Sequence, residues 1–184
     1  ITLSIGNCKG CCVKLSDAIA QCLKDHGIEH VFSVSGGASL HLIDSLANLE
    51  GITYVCPQHE QAGGFAADAC ARFKGLGAAL ATSGPGATNL ITAIATSYYD
   101  SIPTLYITGQ VASFRMAGNS GLRQRGFQET PIVPMCKHIS KYAVTVLHVK
   151  EAITELEKCI RIAKTHRMGP VVYDIPDDFQ RQEI

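Results

Sequence analysis

The sequence predicts an α/β fold, a three-layer αβα domain with a mainly parallel sheet. Three observations point to it. Short runs rich in Val, Ile, Leu and Ala alternate along the chain with segments of 3.6-residue apolar periodicity. Most of these runs end at a glycine- or proline-containing turn. The composition is globular, with 46% hydrophobic and 17% charged residues among 184, enough for one domain with a real interior.

The elements follow in order. Residues 15–26 form a first helix with Leu15, Ile19, Cys22, Leu23 and His26 on one face. Ser16 is its expected cap, and Gly27 suits its end. His30 to Val34 is a strand, broken by Ser35-Gly36-Gly37. A helix covers 39–48, and Ile52 to Val55 is the next strand, stopped by Pro57. The helix from His59 to Phe73 carries only small residues over much of its surface, among them Gly63, Gly64, Ala66, Ala67 and Ala69. It packs closely either on a helix of another subunit or inside one chain. Gly77 to Thr82 is a strand, and Ser83-Gly84-Pro85-Gly86 turns the chain into a helix bearing Leu90, Ile91, Ile94 and Tyr98. Pro103 to Thr108 is a strand. Residues 110–128 read as a long polar loop, of the kind that is functional or unstructured. A short helix near 131–136, a strand near 141–146, a helix over 149–164 and a final strand from Val171 to Ile175 complete the chain.

Composition removes several function classes. Lys plus Arg and Asp plus Glu number 16 each, so the net charge is zero, and no basic stripe suggests a nucleic-acid partner. Arg115, Arg123 and Arg125 read as a solvated loop. No stretch approaches the ~20 apolar residues of a membrane span. Cys8, Cys11 and Cys12 have a C-x-x-C spacing but no second pair to complete a zinc site. Residues 1–13 are therefore read as an extension and 14–184 as the domain. The other five cysteines, at 22, 56, 70, 136 and 159, read as buried thiols in a reducing compartment, taken as the cytoplasm with an organelle as the other setting.

In a parallel sheet covered on both faces, ligands bind beyond the carboxyl ends of the strands. Three such ends here carry unusual residues: Ser35-Gly36-Gly37, Gln58-His59-Glu60 and Thr82-Ser83-Gly84-Pro85-Gly86. Glu60 opens a helix, where a carboxylate complements the dipole by under ~1 kcal/mol. That alone leaves the Gly/Ala helix beside it unexplained. The SGPGATN turn is a poor dinucleotide fingerprint, because Asn89 stands where the third glycine belongs and the turn follows the third strand.

In order, GGAS, HEQ, ATSGPGATN, ITGQV, GFQETPIV and GPVVYDIPDD resemble the N-terminal, pyrimidine-binding domain of acetolactate synthase-like thiamine-diphosphate (ThDP) enzymes. The resemblance runs from about Lys14 to Ile184. It implies ThDP as cofactor and a small 2-oxo acid as substrate, with pyruvate decarboxylation and C–C ligation as the leading activity. ThDP must lose the proton on its thiazolium C2. In this family a Glu bonds N1′ of the aminopyrimidine and favours the imino form that takes that proton. Glu60 matches it, and a buried setting would help it keep a proton to donate.

By the same resemblance, Gly36 and Gly37 lie near the ring, and Thr82, Gly84, Pro85 and Asn89 form the turn against the aminopyrimidine. Phe127 and Gln128 match the pair facing the reacting carbon, Gln110 sits in the GQV segment, and Lys141 matches a lysine near the substrate channel.

Two departures from the family pattern concern Ser35, where Pro is usual, and the Met116 to Gln128 loop, which is longer and carries Arg123 and Arg125. The family holds Mg²⁺ and the diphosphate in a second domain marked by Gly-Asp-Gly, which this sequence lacks. FAD, where relatives use it, belongs to a middle domain and not to this one. The resemblance thus implies a homodimer or higher oligomer and a diphosphate-binding domain as partner, from the same gene or a separate chain. The rival readings are the small subunit of a two-chain 2-oxo acid decarboxylase, a non-catalytic module that kept the fold, and a nicotinamide dehydrogenase. The broken fingerprint argues against the last, and the presence of Glu60 against the module.

Overall fold

The computed structural model describes residues 12–184. Its helices are α1 (Leu15–Asp25), α2 (Leu40–Asn48), α3 (Glu60–Lys74), α4 (Pro85–Asn89), α5 (Ile91–Asp100), α6 (Ile132–Cys136), α7 (Ala152–Lys164) and α8 (Asp177–Gln180). Its strands are β1 (His30–Ser33), β2 (Thr53–Val55), β3 (Gly77–Ala81), β4 (Thr104–Gln110), β5 (Tyr142–Thr145) and β6 (Val171–Pro176). They form one six-stranded sheet in the order β2-β1-β3-β4-β6-β5, and every pairing is parallel.

The sheet divides the interior into two apolar layers because side chains alternate along a strand. Ala78, Leu80, Leu105, Ile107, Val171 and Tyr173 pack on one face against α1, α2 and α7. Ala79, Ala81, Tyr106 and Val172 pack on the other against α3, α5 and α6. The three central strands β3, β4 and β6 are buried throughout, which is why they read as continuous apolar runs.

The second layer is thin because α3 is small-sided. A Cβ on Gly64 would lie 2.5 Å from the Ala93 Cβ of α5. Asp68 stitches the two helices. Its Oδ2 accepts from Ser97 Oγ at 2.6 Å and its Oδ1 from Arg72 Nε at 2.7 Å, while Ser97 Oγ and Tyr106 OH lie 2.8 Å apart. The opposite side of α3 is open, with Phe65 39% and Phe73 90% exposed. The close contact expected of this helix is made within the chain, on α5, while its other side is left uncovered.

Some expectations give way. The N-cap of α1 is Lys14, with no side-chain cap, and Ser16 lies inside the helix accepting a 2.8 Å hydrogen bond from Ser45 of α2. The helix after β3 is two helices, α4 and α5, meeting at Leu90. β4 runs on to Gln110, and α8 follows β6 directly. Cys22, Cys136 and Cys159 are buried, but Cys56 is exposed and Cys70 half-buried. At the start of the domain, Val13 and Ile184 exchange backbone hydrogen bonds and Lys14 bridges Glu183. Cys12 is exposed, and Cys8 and Cys11 lie outside the described residues.

One buried carboxylate ties three strands. Asp174 of β6 is in register with Thr108 of β4 and Thr145 of β5. It accepts hydrogen bonds from Thr108 Oγ1 (2.7 Å), Thr145 Oγ1 (3.0 Å) and Gln110 Nε2 (3.1 Å). Burial pushes its pKa up to about 6, although the three hydrogen bonds pull it down. An unfolded Asp titrates near ~3.9, so between those values the folded state binds the proton more tightly. Stability contributed by Asp174 is therefore greatest below that window and declines as pH rises through it, by ~3 kcal/mol. Asp174→Asn keeps one carbonyl oxygen for Gln110 and Thr145 and turns an NH₂ to the Thr108 hydroxyl. Urea midpoints at pH 4 and 6.5 should show that it lacks this decline; a wild-type slope in the variant would contradict the assignment.

Candidate functional site

Glu60 is the first residue of α3, directly after the His59 N-cap, whose Nδ1 accepts from Gln61 N at 3.2 Å. Its Oε2 accepts from Asn89 Nδ2 at 2.9 Å, and its Oε1 lies 3.3 Å from where a Cβ on Gly86 would stand. Asn89 therefore fixes the carboxylate, and the bare Gly86 keeps the space beside it clear. Glu60 is half-buried in this chain, less enclosed than the sequence reading calls for.

The turns after β1 and β3 are locked together. A Cβ on Gly36 would collide with the Thr82 side chain, and Thr82 Oγ1 accepts from Ala38 N at 3.2 Å. Gly84 has φ +66° and ψ −123°, a conformation reserved for glycine, and initiates α4 with Pro85 at its first turn. A Cβ there would also lie 2.7 Å from Gln128 O and 2.8 Å from Gln128 Cβ. The loop after β4 thus rests directly on the turn after β3, which carries Phe127 and Gln128 to the same rim. Gln128 is itself held at φ +62°, a strained conformation for a residue with a side chain. Phe127 is 86% exposed beside it.

Glu129 holds this loop, and sequence reasoning passed it over although it stands in the GFQET segment. Its Oε1 accepts from Ala117 N at 2.6 Å, and its Oε2 from Arg125 N at 2.7 Å and Gly126 N at 3.2 Å. Desolvation pushes its pKa up, but these backbone donors and the Arg125 charge outweigh it, and the net shift is downward. The only sequence sign was a lone acid ending a loop rich in unpaired backbone donors.

The structure brings Gly36, Gly37, Glu60, Thr82, Gly84, Pro85, Asn89, Phe127 and Gln128 to one rim, at the carboxyl ends of β1, β3 and β4 and the start of α3. Lys141 does not join them. It precedes β5, at the amino end of the sheet's edge strand, and its ammonium donates to the carbonyls of Ile162 and, at 2.6 Å, Thr165 at the end of α7. Gln110 is scaffold: its amide bonds Asp174, Thr130 O and Val111 N. Arg123 and Arg125 are exposed on the outside of the loop.

A parallel sheet whose central strand ends gather glycine turns around one carboxylate defines an α/β domain, a class in which ligands lie beyond the carboxyl ends of the strands. The profile for "Thiamine pyrophosphate enzyme, N-terminal TPP binding domain" matches residues 13–135. The chain belongs to this thiamine pyrophosphate enzyme family. It is similar to the chloroplastic acetolactate synthase of Arabidopsis thaliana, with 41% identity over 170 residues, 92% of this chain and 24% of the relative. Acetolactate synthase 2, chloroplastic, of Nicotiana tabacum is 41% identical over 172 residues, 93% of this chain and 25% of the relative. The acetolactate synthase large subunit of Haemophilus influenzae is 42% identical over 168 residues, 90% and 28% respectively. The chain thus spans about a quarter of the length of the curated relatives it matches.

Two outcomes follow from this geometry. Gly84→Ala should cost about 1–3 kcal/mol in chemical denaturation, since it strains the backbone and drives Gln128 away; a loss near zero would show that the loop does not rest there. Glu129→Gln should speed amide exchange at Ala117, Arg125 and Gly126 with little change in global stability. In the wild type, where the Glu129 pKa is depressed, the same protection should hold above the ordinary carboxyl pKa and fade as pH falls through the lowered one. Protection independent of both the variant and pH would contradict this role.

Proposed function

We propose that this chain is the pyrimidine-binding domain of a ThDP-dependent 2-oxo acid carboligase or decarboxylase of the acetolactate synthase type. It would decarboxylate a small 2-oxo acid such as pyruvate and join the remaining acyl unit to a second carbonyl compound. The observation that carries this reading is Glu60, the carboxylate set by Asn89 on a rim cleared by glycine. When bound, ThDP would supply the nucleophilic carbon and the electron sink that decarboxylation of a 2-oxo acid needs.

The chain's residues take the remaining roles. Glu60 donates a hydrogen bond to the aminopyrimidine N1′ and holds or releases the proton there. Asn89 fixes the carboxyl group and leaves Oε1 for the ligand. Gly36 and Gly37 on one side, and Thr82, Gly84 and Pro85 on the other, wall the ring. Phe127 and Gln128 shield and face the reacting carbon. Lys141 has no part, because its ammonium is engaged at the end of α7.

The diphosphate, Mg²⁺ and any FAD fall to other domains. The open apolar side of α3, with Ala62, Phe65, Ala69 and Phe73, supports a homodimer or higher oligomer in which a diphosphate-binding domain completes the site. No described helix is long and apolar enough to cross a membrane. The buried thiols, with Cys136 pushed up to about 11 and Cys159 up to about 12 by desolvation, support a cytoplasmic or organellar setting in which they stay reduced.

The test is pyruvate consumption by the chain assembled with its diphosphate-binding domain, ThDP and Mg²⁺. Glu60→Gln should lower the rate about 100-fold or more, the scale of a lost acid–base group. Equal rates for the two proteins would remove Glu60 from the mechanism.

A further inference from the structure

Away from the rim, one cluster carries ligand chemistry that the site around Glu60 does not use. Cys22 and His26 are one helical turn apart on α1, so they share a face of that helix, and His26 is its C-cap. Glu157 of α7 reaches across to both. Its Oε1 lies 3.5 Å from Cys22 Sγ, and its Oε2 lies 2.8 Å from His26 Nε2. Thiol, imidazole and carboxylate each offer one atom, and these atoms all fall within 4.8 Å of one another. Among the described residues this is the one such trio of His, Cys, Asp or Glu side chains. Cys22 is buried, whereas the side chains of His26 and Glu157 are 30% and 34% exposed. The cluster is therefore closed on its thiol side and open to solvent on the other. β1 begins at His30, shortly after His26, which puts the cluster near the amino ends of the strands, opposite the Glu60 rim.

We propose that Cys22, His26 and Glu157 form a zinc-binding site that clamps α1 to α7. The site is independent of the carboligase reading. Its donor set favours zinc, because a thiolate and an imidazole suit that ion, whereas Mg²⁺ and Ca²⁺ take oxygen ligands. The ligand atoms of a tetrahedral zinc ion stand about 3.3–3.6 Å apart, as its bonds of about 2.0–2.3 Å require. The separations here bracket that spacing, so side-chain rotation brings all three atoms onto one ion. The open side leaves the fourth position to water.

Charge and proton balance agree with this assignment. One thiolate and one carboxylate neutralise a divalent ion in a partly buried place. The negative end of the α1 dipole lies beside it and favours a cation. On binding, the Cys22 thiol gives its proton to solvent, and His26 coordinates through Nε2 with its remaining proton on Nδ1. No electron is transferred. α1 and α7 cover the same face of the sheet, so the ion would fasten two helices of one layer.

The test uses the assembled protein with Zn²⁺, and with Co²⁺ as a probe whose absorption reports its ligands. Every reading is the difference between wild type and Cys22→Ser, His26→Gln or Glu157→Gln, so ions held elsewhere cancel. After gel filtration in metal-free buffer, wild type should retain one zinc per chain more than each variant. Co²⁺ should give wild type a thiolate-to-metal charge-transfer band and the intense visible bands of a four-coordinate ion, both lost in Cys22→Ser. His26→Gln changes a partly exposed residue and leaves the buried thiol in place; it should weaken zinc binding at least about 10-fold. Zinc should raise the urea midpoint of wild type and leave those of the variants unmoved. A trio that is only hydrogen-bonded would give variants whose midpoints fall by the same amount with zinc or with a chelator, and that result overturns the site. Equal zinc content in wild type and His26→Gln, or a cobalt spectrum from which Cys22→Ser removes no thiolate band, overturns it as well.

Discussion

Neighbouring segments close directly on one another at the carboxyl rim of the sheet, at contacts that only glycine permits. Gly36 sits against Thr82, Gly84 against Gln128, and Gly109 against the carbonyl of Ala38. Each contact joins the end of one strand, or the turn after it, to the turn after another, so the segments after β1, β3 and β4 form one surface. A methyl group at any of the three would push them apart and widen the rim. The glycines therefore act in packing first. The space they leave beside Glu60, where Gly86 is also bare, is a consequence of the same packing.

Two polar devices keep this surface rigid without occupying it. Asp174 ties β4, β6 and β5 from inside the sheet, and its contact with Gln110 anchors the residue where the long loop begins. Glu129 gathers three backbone donors at the other end of that loop. Between these anchors, Gln128 is held in a left-handed conformation over Gly84. A loop that a composition-based reading takes as either functional or unstructured is thus fixed at both ends. Under the proposed function this order has a use, because a cofactor and a substrate would meet there with few degrees of freedom.

The layers of the fold were legible because burial on both faces leaves a simple mark. β3, β4 and β6 are apolar without interruption, and α1 and α7 show clean helical periodicity. The break at Leu90 was not legible, since the apolar positions run on through α4 and α5 with no Gly or Pro between them. α8 has four residues, too few to show a period. Within the site, residues in glycine-rich turns came together as their positions after strands imply. Lys141 rested on a motif match alone, and its place before an edge strand puts it at the other end of the sheet from the other candidates.

The central claim is that the rim positions Glu60 to move a proton at the cofactor's aminopyrimidine. The most direct measurement is the rate at which the C2 hydrogen of enzyme-bound ThDP exchanges with D₂O, followed by quenched-flow NMR in the assembled enzyme without substrate. The account predicts exchange at least about 100-fold faster in wild type than in Glu60→Gln, with both proteins saturated in ThDP. Equal exchange rates at full occupancy would contradict it, because the carboxylate would then be a helix-start residue that happens to lie at the rim.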